Sequence, residues 1–120
     1  MRLGFRALKF VIVSEIVYSV RMDKQTIIAK LRAHEQELRQ AGLESLALFG
    51  SVARGDADAD SDIDLAGVFA RGTETSLLKM GGVATLIAEA LDTYDFDLAS
   101  EKKLHADVAK NFRKDSVRVF

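Results

Sequence analysis

The chain has 120 residues, a formal net charge of −1, 48% hydrophobic residues, no cysteine and no proline. That length fits one domain with a real core. The missing cysteines exclude disulfides and thiolate-bound zinc, and the near-neutral charge supplies no global basic field, so direct nucleic-acid binding is not expected.

Arg2, Arg6 and Lys9 precede the apolar stretch 10–20, which superficially resembles a signal peptide. Glu15 interrupts it, no small-residue cleavage site follows, and it is shorter than the roughly 20 apolar residues of a membrane span. No membrane is therefore expected as a partner. A reducing, cytoplasmic compartment is the simplest expectation from the cysteine count. Met22 stands just before a clean helix start. The expected organisation is an N-terminal extension over 1–21, with Met22 a candidate native start, and one domain over 22–120.

Asp23 is a good N-cap, and Ile27, Ile28, Leu31, Leu38 and Ala41 follow helical spacing up to Gly42. This predicts one amphipathic helix over 24–41. Residues 45–49 read as a short buried strand, broken by Gly50 to Gly55, which begins a helical turn. Residues 56–61 are a polar, acidic loop. Residues 62–69 read as a second strand, with Ile63, Leu65 and Gly67 facing away from Asp62 and Asp64. A helix is expected over 76–91, weakened at Gly81-Gly82 by about 1 kcal/mol per glycine relative to alanine. Such a pair marks a kink or a close helix–sheet contact. Residues 94–98 alternate as a third strand, 101–113 carry a third helix, and 117–120 extend that helix or form an edge strand. The order helix, strand, strand, helix, strand, helix gives a small α/β (α+β) layer with helices packed on one sheet face. It brings Gly50-Ser51, Asp62/Asp64 and Asp97 to one end of the sheet.

Glycine at position 50 lets the backbone approach a phosphate closely, and a turn that opens a helix presents unpaired N–H groups to an anion. Ser51 adds a hydroxyl. Arg54, one turn on, has guanidinium geometry suited to phosphate oxygens. Taken singly, these read as an ordinary strand-ending turn and a solvated surface arginine. Gly50 and Gly55 have the glycine spacing of a Walker A loop, but Asp56-Ala57 stands where Lys-Ser/Thr is required. Asp56, Asp58 and Asp60 open like an EF-hand, but Ser61 replaces the required glycine and Gly67 the required glutamate. Asp62 and Asp64, two apart on a strand, share a face and repel unless cations lie between them. Magnesium is held by one or two carboxylates plus substrate phosphates, and a third carboxylate would complete a two-metal clamp. Asp95 and Asp97 are both candidates for it.

Gly50-Ser51, ten residues, then Asp62-x-Asp64 resembles the signature of the nucleotidyltransferase superfamily related to DNA polymerase β. The stretch 48–65 looks like its minimal nucleotidyltransferase branch, and the likeness spans about 22–120. Phe96-Asp97-Leu98 resembles the strand that carries the family's third carboxylate, which favours Asp97 over Asp95. The resemblance implies a polymerase-β-like fold with a mixed sheet of three or more strands. It implies that Asp62 and Asp64 bind two Mg2+ ions, that Asp97 binds one of them and helps deprotonate the acceptor, and that Gly50, Ser51 and Arg54 hold the nucleotide. It also implies ATP as substrate, transfer of AMP with loss of pyrophosphate, and a HEPN-type toxin tyrosine as acceptor. The chain would then be the antitoxin. Two alternatives stand beside it: an antitoxin that neutralises its toxin by binding alone, and an enzyme acting on an aminoglycoside-type small molecule.

Overall fold

The computed structural model describes residues 3–4, 23–58 and 60–120. Asp23 caps the first helix, its carboxylate accepting from Thr26 N–H at 2.8 Å. The helix expected over 24–41 is two helices, α1 (Lys24–Ala33) and α2 (Glu35–Gln40). At the break His34 N–H bonds Leu31 O, three residues back, at 3.1 Å. Ile27, Leu31 and Leu38 stay in helical phase across the break and are all buried, so the pattern does not betray it.

The strands are β1 (Leu3–Gly4), β2 (Leu43–Phe49), β3 (Ile63–Phe69), β4 (Phe96–Ser100) and β5 (Val117–Arg118). Between them lie α3 (Gly50–Arg54), α4 (Leu77–Leu91) and α5 (Ala106–Asp115). The sheet order is β1-β4-β3-β2-β5. β3 runs antiparallel to β2 and parallel to β4, so the sheet is mixed, as the family resemblance implies.

Helices cover both faces, not one. Leu46, Leu48, Ile63, Leu65, Phe96 and Leu98 join the main core with Ile27, Leu31 and Leu38 and with Val83, Ile87 and Leu91 of α4. Strand alternation turns Ala47, Phe49 and Ala66 the other way, where Phe112 of α5 meets them. The sequence reading missed this second layer because α5 contributes a single buried side chain.

Element boundaries shift toward the C-terminus of the chain, and one open alternative is resolved there. The third strand starts at Phe96 because Phe96 N–H bonds Tyr94 O at 2.8 Å, a tight turn that sets Tyr94 and Asp95 before the first paired residues, Ile63↔Phe96. The helix expected from 101 is a 3-10 turn over Glu101–Lys103, then α5. The C-terminal residues form the edge strand alternative, with Leu48↔Val117 and Ala47↔Arg118 paired. Helix α4 runs unbroken through Gly81 and Gly82, and a β-carbon at either would meet nothing within 4 Å. No close helix–sheet contact therefore explains that pair.

Within the expected extension over 1–21, Leu3↔Leu98 and Gly4↔Asp97 pair along the outer edge of β4. The rest of that extension and the candidate start at Met22 lie outside the described residues. Among the described residues, no helix is long and apolar enough to cross a membrane.

Candidate active site

Strand register assembles the site. Phe49, the last residue of β2, pairs with Asp64 on β3, and Asp64 pairs on its other side with Asp97 on β4. Residues directly opposite across a ladder project from the same face. Phe49, Asp64 and Asp97 therefore form one row on the α5 face, where β2 ends and β3 and β4 begin. Adjacent strands lie about 4.8 Å apart, so the two carboxylates are close neighbours.

Asp62 precedes β3 by one residue. Ile63 N–H donates to Asp95 O at 2.9 Å, which fastens this segment to the entry of β4. Asp62 Oδ1 is buried without a hydrogen-bond partner, the one such side-chain atom found among the described residues. Leaving a carboxylate oxygen so placed is costly, and in native proteins it marks a group awaiting a donor or a cation.

Gly50 lies against Asp64. Its φ is 76°, in the left-handed region that favours glycine, and a β-carbon there would stand 2.3 Å from Asp64 Oδ2. Absence of a side chain lets the carboxylate occupy that space. Ser51 follows, half-buried, in the first turn of α3, whose leading N–H groups have no acceptor within the helix.

Arg54 is engaged elsewhere. Its Nε donates to Asp56 Oδ2 at 3.1 Å and its Nη1 to Asp115 Oδ2 at 3.3 Å. These bonds, Asp56 foremost, raise its pKa further. The guanidinium thus ties the acidic loop and the end of α5 to α3. Nothing in the sequence signals the Arg54–Asp115 contact, because 61 residues separate the two. The Phe112 ring, edge-on to Phe49 at 5.5 Å and 74°, was missed for the same reason.

The structure thus brings Gly50, Asp64 and Asp97 together, with Asp62 and Ser51 adjoining, and turns Arg54 toward carboxylates. Asp95 lies in the turn before the ladder, its N–H donating to Thr93 Oγ1 at 3.0 Å. Among the described residues, no three Asp, Glu, His or Cys side chains converge into a metal cage. The donor set still fits a hard cation in kind: carboxylate oxygens on adjoining segments, one of them orphaned and buried, beside a glycine cradle.

Residues 31–119 match the nucleotidyltransferase domain family. The chain belongs to that family. A nucleotidyltransferase relative, the protein adenylyltransferase MntA of Thermococcus cleftensis, is 36% identical over 90 residues, which span 74% of this chain and 88% of the relative. A solved minimal nucleotidyltransferase superposes with a TM-score of 0.66 at 28% identity, covering 82% of this chain and 97% of the other. A structure of a tri-AMPylated Shewanella oneidensis HEPN toxin with its MNT antitoxin aligns with a TM-score of 0.52 at 22% identity. That alignment covers 78% of this chain and 71% of the other, and at this identity it speaks for the fold. The nucleotidyltransferase assignment agrees with the family resemblance read from the sequence.

Proposed function

We propose that this nucleotidyltransferase is a cytoplasmic antitoxin that transfers AMP from ATP to a tyrosine hydroxyl of a HEPN-type toxin. The observation that carries the reading is the in-register pair Asp64↔Asp97 beside the bare backbone of Gly50. A relative at 36% identity named as a protein adenylyltransferase supports transfer to protein. The AMPylated toxin held by a structurally similar antitoxin supports the acceptor class.

Asp97 accepts the proton of the acceptor hydroxyl. The freed oxygen bonds to the α-phosphorus of ATP as the bond from that phosphorus to the bridging oxygen breaks, and pyrophosphate leaves with the electron pair. The Gly50-Ser51 turn offers backbone N–H groups and a hydroxyl to the triphosphate. Arg54 reaches phosphate by exchanging one of its carboxylate partners for it. Asp62 and Asp64 would hold two Mg2+ ions, with Asp97 on one of them, and the ions would neutralise charge on the attacking and leaving oxygens.

The binding-only antitoxin is the second reading, and the engagement of Arg54 by Asp56 and Asp115, which turns the guanidinium toward carboxylates, favours it. Label transfer from α-labelled ATP to copurified toxin separates the two. The enzymatic reading predicts that Asp62→Asn and Asp64→Asn each abolish both labelling and neutralisation. Neutralisation that survives without labelling establishes the binding reading instead.

A further inference from the structure

Helix α4 buries one side against the core and leaves the other bare. Leu77 is 78% exposed and Leu78 88% exposed, the two most exposed large apolar residues among those described. One turn on, Gly81 and Gly82 are exposed, and a β-carbon at either would meet no atom within 4 Å. Together with Leu86 and Ala41 they line a shallow apolar groove of about 930 Å³. Two mid-helix glycines lower helix stability by roughly 2 kcal/mol relative to alanine, and no close approach among the described residues compensates for that. An apolar surface of this kind marks an interaction site. Glycine there lets a second backbone approach closely.

The charges along the groove say what covers it. Glu89 lines its C-terminal end. Lys79, exposed and one helical turn before Gly82, flanks the groove near its N-terminal end, ten residues or roughly 15 Å from Glu89 along the helix. Neither makes an ion pair among the described residues. A surface with opposite charges at its two ends is complementary to itself when turned end for end, which is what a two-fold contact requires. We infer that α4 is a homodimer interface, in which a second copy of this chain packs its own α4 antiparallel into the groove. The crossing falls on the Gly81–Thr85 turn. Leu77 and Leu78 of each copy then lie over the Leu86–Glu89 stretch of the other, and each Lys79 lies alongside the partner copy's Glu89. The antiparallel arrangement also opposes the two helix dipoles. This surface lies on the far side of the sheet from Asp64 and Asp97, so the inference stands independently of the catalytic reading.

Sedimentation equilibrium of the full chain at micromolar concentration tests it. The wild type is expected at twice 13.2 kDa. Leu77→Ser/Leu78→Ser is expected at the monomer mass with an unchanged circular dichroism spectrum, because both side chains are already in water. Lys79→Glu alone and Glu89→Lys alone should each weaken the dimer by about tenfold, and the two combined should restore it to within about twofold. A wild type that stays monomeric to about 100 μM overturns the inference. So does a dimer indifferent to the leucine pair, or a combined charge variant weaker than either single one. A monomeric wild type that loses a bound HEPN-type toxin on Leu77→Ser/Leu78→Ser assigns the groove to that toxin, and likewise overturns self-association.

Discussion

Gly50 and Asp64 occupy one another's space: a β-carbon on Gly50 would stand 2.3 Å from Asp64 Oδ2 and 3.1 Å from its Cγ. Gly50→Ala must therefore push the Asp64 carboxylate aside and also hold φ at 76°. We expect a stability loss of about 2–4 kcal/mol by urea denaturation and loss of transfer activity. Gly55→Ala is the control. Its φ is 83°, but no atom lies within 4 Å of its β-carbon, so only the backbone strain of about 1 kcal/mol is expected. Equal losses in the two variants would contradict the close approach.

The orphaned oxygen of Asp62 gives a prediction that needs no turnover. Without divalent cation, Asp62→Asn should be as stable as the wild type or more so, since it removes the negative charge from a buried group whose Oδ1 has no partner. Adding Mg2+ and a non-hydrolysable ATP analogue should raise the wild-type Tm by several degrees and leave the Asn variant unmoved. Thermal shift measurements check this, and identical shifts in both proteins would remove Asp62 from the ligand set.

The row of Phe49, Asp64 and Asp97 was half legible in the sequence. Spacing of two placed Asp62 and Asp64 on one face, and the glycine at 50 told of a close approach, expected of a phosphate, where the structure puts the Asp64 carboxylate. Spacing alone left Asp95 and Asp97 equivalent, because both share a strand face. What separates them is the Tyr94–Phe96 turn, which ends the ladder at Phe96 and pairs Asp97, not Asp95, with Asp64. The break at His34 and the partnership of Arg54 with Asp115 were invisible for different reasons. The first leaves the helical phase intact, and the second joins residues far apart in the chain.

Phe112 anchors α5 over the face that carries Asp64, through its edge-on contact with Phe49. Phe112→Ala should cost about 3 kcal/mol by chemical denaturation, within the range for buried aromatic truncation. Phe112→Leu should recover more than half of that. A loss below about 1 kcal/mol in the alanine variant would mean that α5 is not held by this ring.

Glu74 joins the segment before α4 to the end of β4 and the turn that follows it. Lys103 Nζ lies 2.7 Å from its Oε2, and Ser100 Oγ donates to its Oε1 at 3.0 Å. Lys103, foremost, and Ser100 hold its pKa below the ordinary 4.5. A lowered folded value means that the contribution is complete above 4.5 and is lost as pH falls through the folded value. Glu74→Gln should cost about 1 kcal/mol at pH 7, discounted because Lys103 is largely exposed. The gap between the two proteins should close as pH drops below 4.5. A gap that persists in strong acid would show that the ion pair is not its source.

Comparing Asp97→Asn with Asp95→Asn for AMP transfer from α-labelled ATP to the copurified toxin tests the assignment most directly. The strand register predicts that Asp97→Asn loses at least about 100-fold in rate, as expected for removal of a general base and ligand, while Asp95→Asn stays within about fivefold of the wild type. Undiminished transfer by Asp97→Asn would contradict the account.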